Sequence, residues 1–341
     1  MKTVLRPRRS VRAAAVAAAA IAAVVGLAAC SSSGGGGGSG SISIVAFSVP
    51  EPAYTALSAA FQKTPDGNGV TFSTSYGPSG SQATAVTEGQ VKADYVGFSL
   101  EPDMAKLVPD FVSPDWDKGS TKGIVSSSVV VICVRKGNPL HITGWDDLVK
   151  PGVKIVTPDP ATSGSAKWNI LAAYEHMIAE GHSASDAQSY LKQFFANTVS
   201  KPDSGSDAMS TFSQGTGDVL ISYENEAIHA RQSGIKLDYI VPDQTMLIQN
   251  PGAVTKNAPA VATKFLNYAE SGAGQKIFAA NGFRPVDNIV KPGTVKGAND
   301  PANPFPTPQH LITVDSIGGW DKVNDEFFGD NGIVTKIEGT S

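Results

Sequence analysis

Two kinds of hydrophobic pattern take turns along the chain. Short β-rich stretches, "SISIVAF", "VTFSTSY", "ADYVGFSL", "GIVSSSVVVICV", "VKIVTP", "DVLISY" and "LDYIVP", alternate with stretches in which apolar residues recur at three- and four-residue intervals. The first kind predicts strands and the second amphipathic helices. Tyr54, Leu57 and Phe61 mark a helix after the first strand. Ile170, Leu171, Tyr174 and Ile178 mark another, with Gly181 as its stop. Helical patterns close the chain, including "APAVATKFLNYAESGAGQKIFAANG", and the proline-rich "NDPANPFPTPQH" predicts a surface crossing. No internal repeat is visible. This alternation predicts an α/β fold with mainly parallel strands.

The N-terminus departs from that pattern. Lys2, Arg6, Arg8, Arg9 and Arg12 precede "AAAVAAAAIAAVVGLAA" and Cys30. That order predicts a signal peptide over residues 1–29. The alanine-dominated run is short and weakly apolar for a membrane span. Leu27-Ala28-Ala29-Cys30 resembles a bacterial lipobox, in which the cysteine is lipidated and becomes the new N-terminus. Residues 30–41 then supply a lipidated terminus and a flexible Ser/Gly spacer, with nothing in "SSSGGGGGSG" to pack.

Removing the five basic residues of the signal leaves 22 Lys and Arg against 31 Asp and Glu, so the mature chain carries −9 rather than −4. No basic patch points to nucleic acid. Cys133 is the remaining thiol and sits inside "SSSVVVICV", where a buried structural cysteine is expected. The five histidines, His141, His176, His182, His229 and His310, show no metal-ligand spacing, so no metal and no cofactor are expected. Roughly 300 residues remain, enough for two lobes with separate cores.

The joints between strands and helices carry the chemistry, because ligands of open α/β sheets sit beyond the carboxyl ends of the strands. Four joints share one composition: "FSVPEPAY", "SYGPSGSQAT", "TPDPATSGSAKWN" and "PDSGSDAMSTF". Each offers small residues whose backbone N–H can approach a ligand, with hydroxyls and hardly any cations. A helix start of this kind suits an anion, although Ser163 or Ser165 could equally serve only as a helix cap. An enzyme alternative, a secreted serine hydrolase, has weak support. "GPSGS" approaches the nucleophile elbow G-x-S-x-G, but Ser81 stands at its last position and no histidine lies in a suitable loop. Walker-A and dinucleotide fingerprints are absent.

The blocks "GPSGSQATAV", "ADYVGFSL", "VVICVRKGNPL", "WDDLVKPGVKIVTPDPATSGSAKWNILAAY", "DSGSDAMSTF", "GTGDVLISYENEA", "GQKIFAANGFRPVD" and "IGGWDKV" span nearly all of residues 42–328. In order and spacing they resemble the sulfate-binding proteins, receptors of bacterial sulfate and thiosulfate ABC importers. The resemblance implies a two-lobe periplasmic-binding-protein type II fold with a ligand cleft between lobes, lobe 1 formed by 42–126 and 242–341 and lobe 2 by 127–241. It implies sulfate or thiosulfate as ligand, ABC permease subunits as partners, no catalytic activity, and an extracytoplasmic location with Cys30 as the lipid anchor. Carried over residue by residue, the anion contacts fall on the N–H groups of Ser48 and Ser79 in the first lobe. In the second lobe they fall on Ser163 Oγ and the N–H groups of Gly164, Ser165 and Ser206. Val49 is the alternative to Ser48, because the spacing to Tyr54 is one residue shorter than the family form. Tyr223 stands where the family has a tryptophan donor, and Lys167 where it often has arginine.

A site of donors alone favours sulfate, which is fully deprotonated near neutral pH, over phosphate, which keeps a proton that needs an acceptor. Asp159 and Asp203 are the loop carboxylates that a phosphate receptor could use; helix starts commonly carry aspartate as a cap.

Overall fold

The computed structural model describes residues 40–339; the signal peptide, Cys30 and the Ser/Gly spacer expected from the sequence lie outside the described residues. The described residues form ten strands: β1 (Ser41–Phe47), β2 (Thr71–Gly77), β3 (Tyr95–Gly97), β4 (Ile124–Arg135), β5 (Ile155–Val156), β6 (Thr198–Ser200), β7 (Val219–Tyr223), β8 (Leu237–Ile240), β9 (Gln244–Val254) and β10 (His310–Ile312). The helices are α1 (Glu51–Phe61), α2 (Ser79–Thr87), α3 (Glu101–Ala105), α4 (Gly164–Ala179), α5 (Ala184–Ala196), α6 (Gly205–Ser213), α7 (Glu224–Gln232), α8 (Ala260–Glu270), α9 (Gly272–Ala280), α10 (Gly319–Val323) and α11 (Ile333–Glu338). Among the described residues no helix is long and apolar enough to cross a membrane.

The strands run in the order β2-β1-β3-β9-β4-β7-β5-β6, with β10 on β9 and β8 on β4. Pairing is parallel on both flanks, β2-β1-β3 and β7-β5-β6, as expected of strands joined by helical crossovers. The middle is antiparallel, because β4 and β9 run through from one flank to the other. The first half of β4 pairs β9 and its second half pairs β7 and β8, while the end of β9 reaches β3. Except at its two ends β4 is buried, which accounts for the unbroken apolar run around Cys133. Cys133 is fully buried and unpaired, and burial pushes its thiol pKa up, away from the reactive thiolate.

β9 was hidden in the sequence by Pro251-Gly252, which has the composition of a turn. Pro251 is tolerated because it stands opposite Ile124, where the register shifts. Gly252 is required there: a Cβ would lie 2.4 Å from the Tyr95 hydroxyl.

Packing follows the predicted helix faces except at Ile178, which marked the face of α4 but is exposed at the end of that helix while Ile170, Leu171 and Tyr174 are buried. Tyr54, Leu57 and Phe61 are all buried. Phe265 of α8 gathers Phe61, Phe72 and Tyr95 at ring-centroid distances of 5.5, 5.2 and 5.4 Å. On the other flank Asn169 of α4 donates to Thr157 Oγ1 and to the Ile221 carbonyl, tying the helix to the ends of β5 and β7. The chain end folds back over α4 and beyond: Trp320 packs edge-on against Trp168, Phe327 against Tyr174, and Lys201 pairs with Glu338 at 2.7 Å.

Candidate functional site

The loops singled out by composition meet where the two flanks of the sheet face each other. Around Gly80, Gly164 and Gly205 the helix starts approach neighbours closely, at Gly164 and Gly205 too closely for a larger residue. A Cβ on Gly164 would fall 2.7 Å from Ser99 Cβ, one on Gly205 2.9 Å from Val49 Cγ2, and one on Gly80 3.3 Å from the Thr162 carbonyl. Each contact joins a residue of one flank to a residue of the other. Ser99, just beyond β3, fastens them together: its hydroxyl lies 2.7 Å from the Tyr223 hydroxyl, and its carbonyl accepts from Trp168 Nε1 at 3.0 Å and Asn250 Nδ2 at 3.1 Å. Sequence reasoning missed Ser99, Trp168 and Asn250; the available signals were that Ser99 closely follows β3 and that Trp168 stands in the first turns of α4 after Ser163.

At these helix starts the expected protein partners are missing. α2 and α4 begin without a side-chain cap bond and without an acidic residue in the first turn. α8 also begins bare, but Pro259 and Ala260 are exposed and water can satisfy that terminus. By contrast Ser79, Ser163 and Ser165 are 2–3% exposed. A buried helix start with unspent N–H groups calls for a ligand or another partner. Ser163 stands at the N-cap position of α4, yet its hydroxyl accepts nothing from the helix. The capping alternative therefore fails for Ser163. In α6 the capping is done by Ser204, which accepts from Asp207 N–H and donates to the Asp207 carboxylate, so the Ser206 N–H is left over.

Two expected positions change. The Ser48 N–H is spent on the Gly77 carbonyl at 3.0 Å, extending the β1-β2 ladder, whereas the Val49 N–H has no acceptor among the described residues. The free N–H in this loop therefore belongs to Val49, one residue later than the first choice. Lys167 turns away from the loops: its ammonium lies 3.3 Å from Asn324 Oδ1 and 4.7 Å from the Phe328 ring centroid, and burial lowers its pKa. Ser79 keeps its N–H free while its hydroxyl donates to Asp103 and accepts from Ser99 N–H. Tyr223 is fully buried with its hydroxyl against that of Ser99; burial drives its phenol pKa up, so it stays protonated and able to donate.

The carboxylates sort differently from expectation. Asp159 accepts from Ala161 N–H within its own turn, and Asp203 is exposed. Two carboxylates that sequence reasoning missed do approach the site: Asp103, held by Ser79 and paired with Lys106 at 2.8 Å, and Glu226 within "SYENEA", which has no cation partner among the described residues. A Cβ on Gly205 would be 3.2 Å from Glu226 Oε2, and Glu226 shares a groove with Val49 and Ser206. Ser222 donates to it at 2.6 Å, and burial pushes its pKa up to about 7. Its neighbour Glu224 is taken up by Arg284 at 2.7 Å.

Small apposed helix starts with buried, unspent donors hold an anion by oriented dipoles without a cation. Residues 42–284 match the family described as bacterial extracellular solute-binding protein. The chain belongs to that family. Among relatives of this solute-binding protein, a sulfate-binding protein of Synechococcus elongatus is 36% identical over 309 residues, covering 87% of this chain and 86% of the relative. A thiosulfate-binding protein of Pseudomonas aeruginosa is 30% identical over 308 residues, covering 86% and 90%. The solved structure of the sulfate-binding protein SubI from Mycobacterium tuberculosis H37Rv has a TM-score of 0.78 at 42% identity, covering 84% of this chain and 99% of that one. The fold of the solute-binding protein is thus the periplasmic-binding-protein type II fold expected from the sequence.

Because Ser163 makes no cap bond, Ser163→Ala in the unliganded protein should change stability by less than about 0.5 kcal/mol. Thermal melts in sulfate-free buffer check this; a loss of about 1 kcal/mol or more would restore the capping role.

Proposed function

We propose that this protein is an extracytoplasmic receptor that captures sulfate, or thiosulfate, and delivers it to an ABC permease. The observation that carries this is the pair of buried, uncapped, acid-free helix starts of α2 and α4, brought to the same place by glycine contacts. The donor set comprises the N–H groups of Val49 and Ser79 from one side, and Ser163 Oγ with the N–H groups of Gly164, Ser165 and Ser206 from the other. Tyr223 supplies the remaining hydroxyl when Ser99 donates to it. Val49 and Ser79 belong to lobe 1 and the rest to lobe 2, the division lying across β4 and just ahead of β9. The end of the chain departs from the lobe 1 assignment of 242–341 expected from the sequence: Trp320 and Phe327 pack on α4, so this segment rides on lobe 2.

A hydrogen bond to a charged group contributes roughly 1.5–3 kcal/mol net. Seven such bonds can support micromolar binding, about −8 kcal/mol, after closure and desolvation costs. The net charge opposes sulfate at long range, so selectivity and affinity must come from close, dry dipoles. Glu226 is the observation that favours a phosphate receptor instead, since an ionised carboxylate could accept the proton of hydrogen phosphate. Its engagement by Ser222 and its raised pKa weigh against that role.

Isothermal titration should give saturable sulfate binding and little heat from phosphate at equal concentration near neutral pH. Ser163→Ala and Ser163→Gly should each weaken sulfate by about ten- to a hundredfold, the loss of one charged hydrogen bond. Equal binding of both anions, or unchanged affinity in both variants, would overturn the proposal.

A second outcome concerns pH. Glu226 releases its proton on passing about pH 7, placing negative charge beside Ser206, so sulfate affinity should fall as pH rises from about 6 to about 8. Glu226→Gln should flatten that profile; an identical slope in the variant would remove Glu226 as its cause.

Anchoring by a lipid on Cys30 completes the proposal, motivated by "LAAC" and the spacer behind it. Cys30→Ser should shift the protein from the detergent phase to the aqueous phase on phase partitioning, and unchanged partitioning would contradict it.

A further inference from the structure

The far end of α4 carries a second group of polar side chains. His176 is 1% exposed, and its Nδ1 lies 2.8 Å from the Ala173 carbonyl. A carbonyl can only accept, so Nδ1 carries the proton and the lone pair sits on Nε2. Nε2 is buried and has no hydrogen-bond partner among the described residues. It faces Asp146 Oδ1 at 3.8 Å, and a Glu180 oxygen completes a trio of candidate ligand atoms lying within 4.8 Å of one another. A buried lone pair thus lies beside two carboxylates with no donor of its own among the described residues, a gap that a bound cation would fill.

We propose that Asp146, His176 and Glu180 form a binding site for a divalent transition-metal ion of the zinc class, separate from the anion loops. One imidazole and two carboxylates suit such an ion better than magnesium or calcium, which prefer oxygen alone. The Nδ1–H bond to Ala173 is the outer contact that orients a metal-binding imidazole. Bonds of about 2.0–2.1 Å in tetrahedral geometry put ligand atoms roughly 3.3 Å apart, so the trio need contract only slightly. The movement falls to Asp146, whose side chain is 78% exposed, and water takes the fourth position. Trp145 stacks on the His176 ring at 5.7 Å with 20° between planes, and holds it against rotation. Asp146 and Trp145 lie in the turn that borders the β8-β9 connection, together with Asp243 and Gln244. A bound ion would therefore brace the end of α4 against that turn. α4 has 16 residues, which places this end roughly 24 Å from Ser163.

Histidine spacing alone could not reveal the site, because His176 and Glu180 meet an aspartate thirty residues upstream of His176 rather than another histidine.

The test uses the full chain, stripped with chelator and titrated with Zn²⁺, and with Co²⁺ for its visible absorption. One ion per chain should bind, raise the melting temperature, and, as Co²⁺, quench fluorescence that Trp145→Phe removes. Asp146→Asn and Glu180→Gln, both at exposed positions, should each weaken binding by at least roughly tenfold without altering sulfate titrations. His176→Gln adds a third variant where it folds. Absence of saturable one-to-one binding, or binding unchanged in both carboxylate variants, would overturn the proposal.

Discussion

Unspent N–H groups in buried first turns are the constraint on which the arrangement depends. A helix start normally finds a capping side chain, an acidic residue or water. α2 and α4 have no cap or acid, and their first residues are buried. The chain leaves these donors unsatisfied by itself, at a cost in stability that a bound anion would return. Glycine makes the arrangement possible, since a Cβ at Gly164 or Gly205 would collide with the opposite side. Ser99 then holds the two sides in register through three hydrogen bonds to Tyr223, Trp168 and Asn250.

Charged groups close to this place are paired or turned aside. Arg284 neutralises Glu224, Lys106 faces Asp103, and Lys167 is turned toward Asn324 and Phe328. What remains near the loops is Glu226, buried and with its pKa raised, whose protonated form adds no charge. Dipoles fixed by secondary structure need no reorganisation when a ligand arrives, and they hold an anion without offering a cation that any acid could pair with.

Much of this was legible in the sequence because it rests on local rules. β1, β2 and α4 follow directly from hydrophobic periodicity, and Ser163, Gly164 and Ser165 follow from small residues at a helix start. What was not legible depended on partners far away in the chain. β9 carries Pro251-Gly252, acceptable in a strand only because the β4 register shifts opposite Pro251 and because Tyr95 and Val125 leave no space for a side chain at Gly252. Ser48 and Val49 could not be told apart until the β1-β2 ladder claimed the Ser48 N–H. Nothing local separates Glu226 from Glu224 in "ENE"; the difference is Arg284, sixty residues on, which pairs with Glu224. Asp146 and His176 are brought together only by the packing of α4 against the turn at Trp145.

The most direct test of the central claim is amide NMR of the mature chain during a sulfate titration. The account predicts large downfield shifts and slowed hydrogen exchange at the amides of Val49, Ser79, Gly164, Ser165 and Ser206, with little change at Ser48, whose N–H is already bonded to Gly77. Sulfate binding that left the Gly164 and Ser165 amides unmoved, while shifting the Ser48 amide instead, would contradict it.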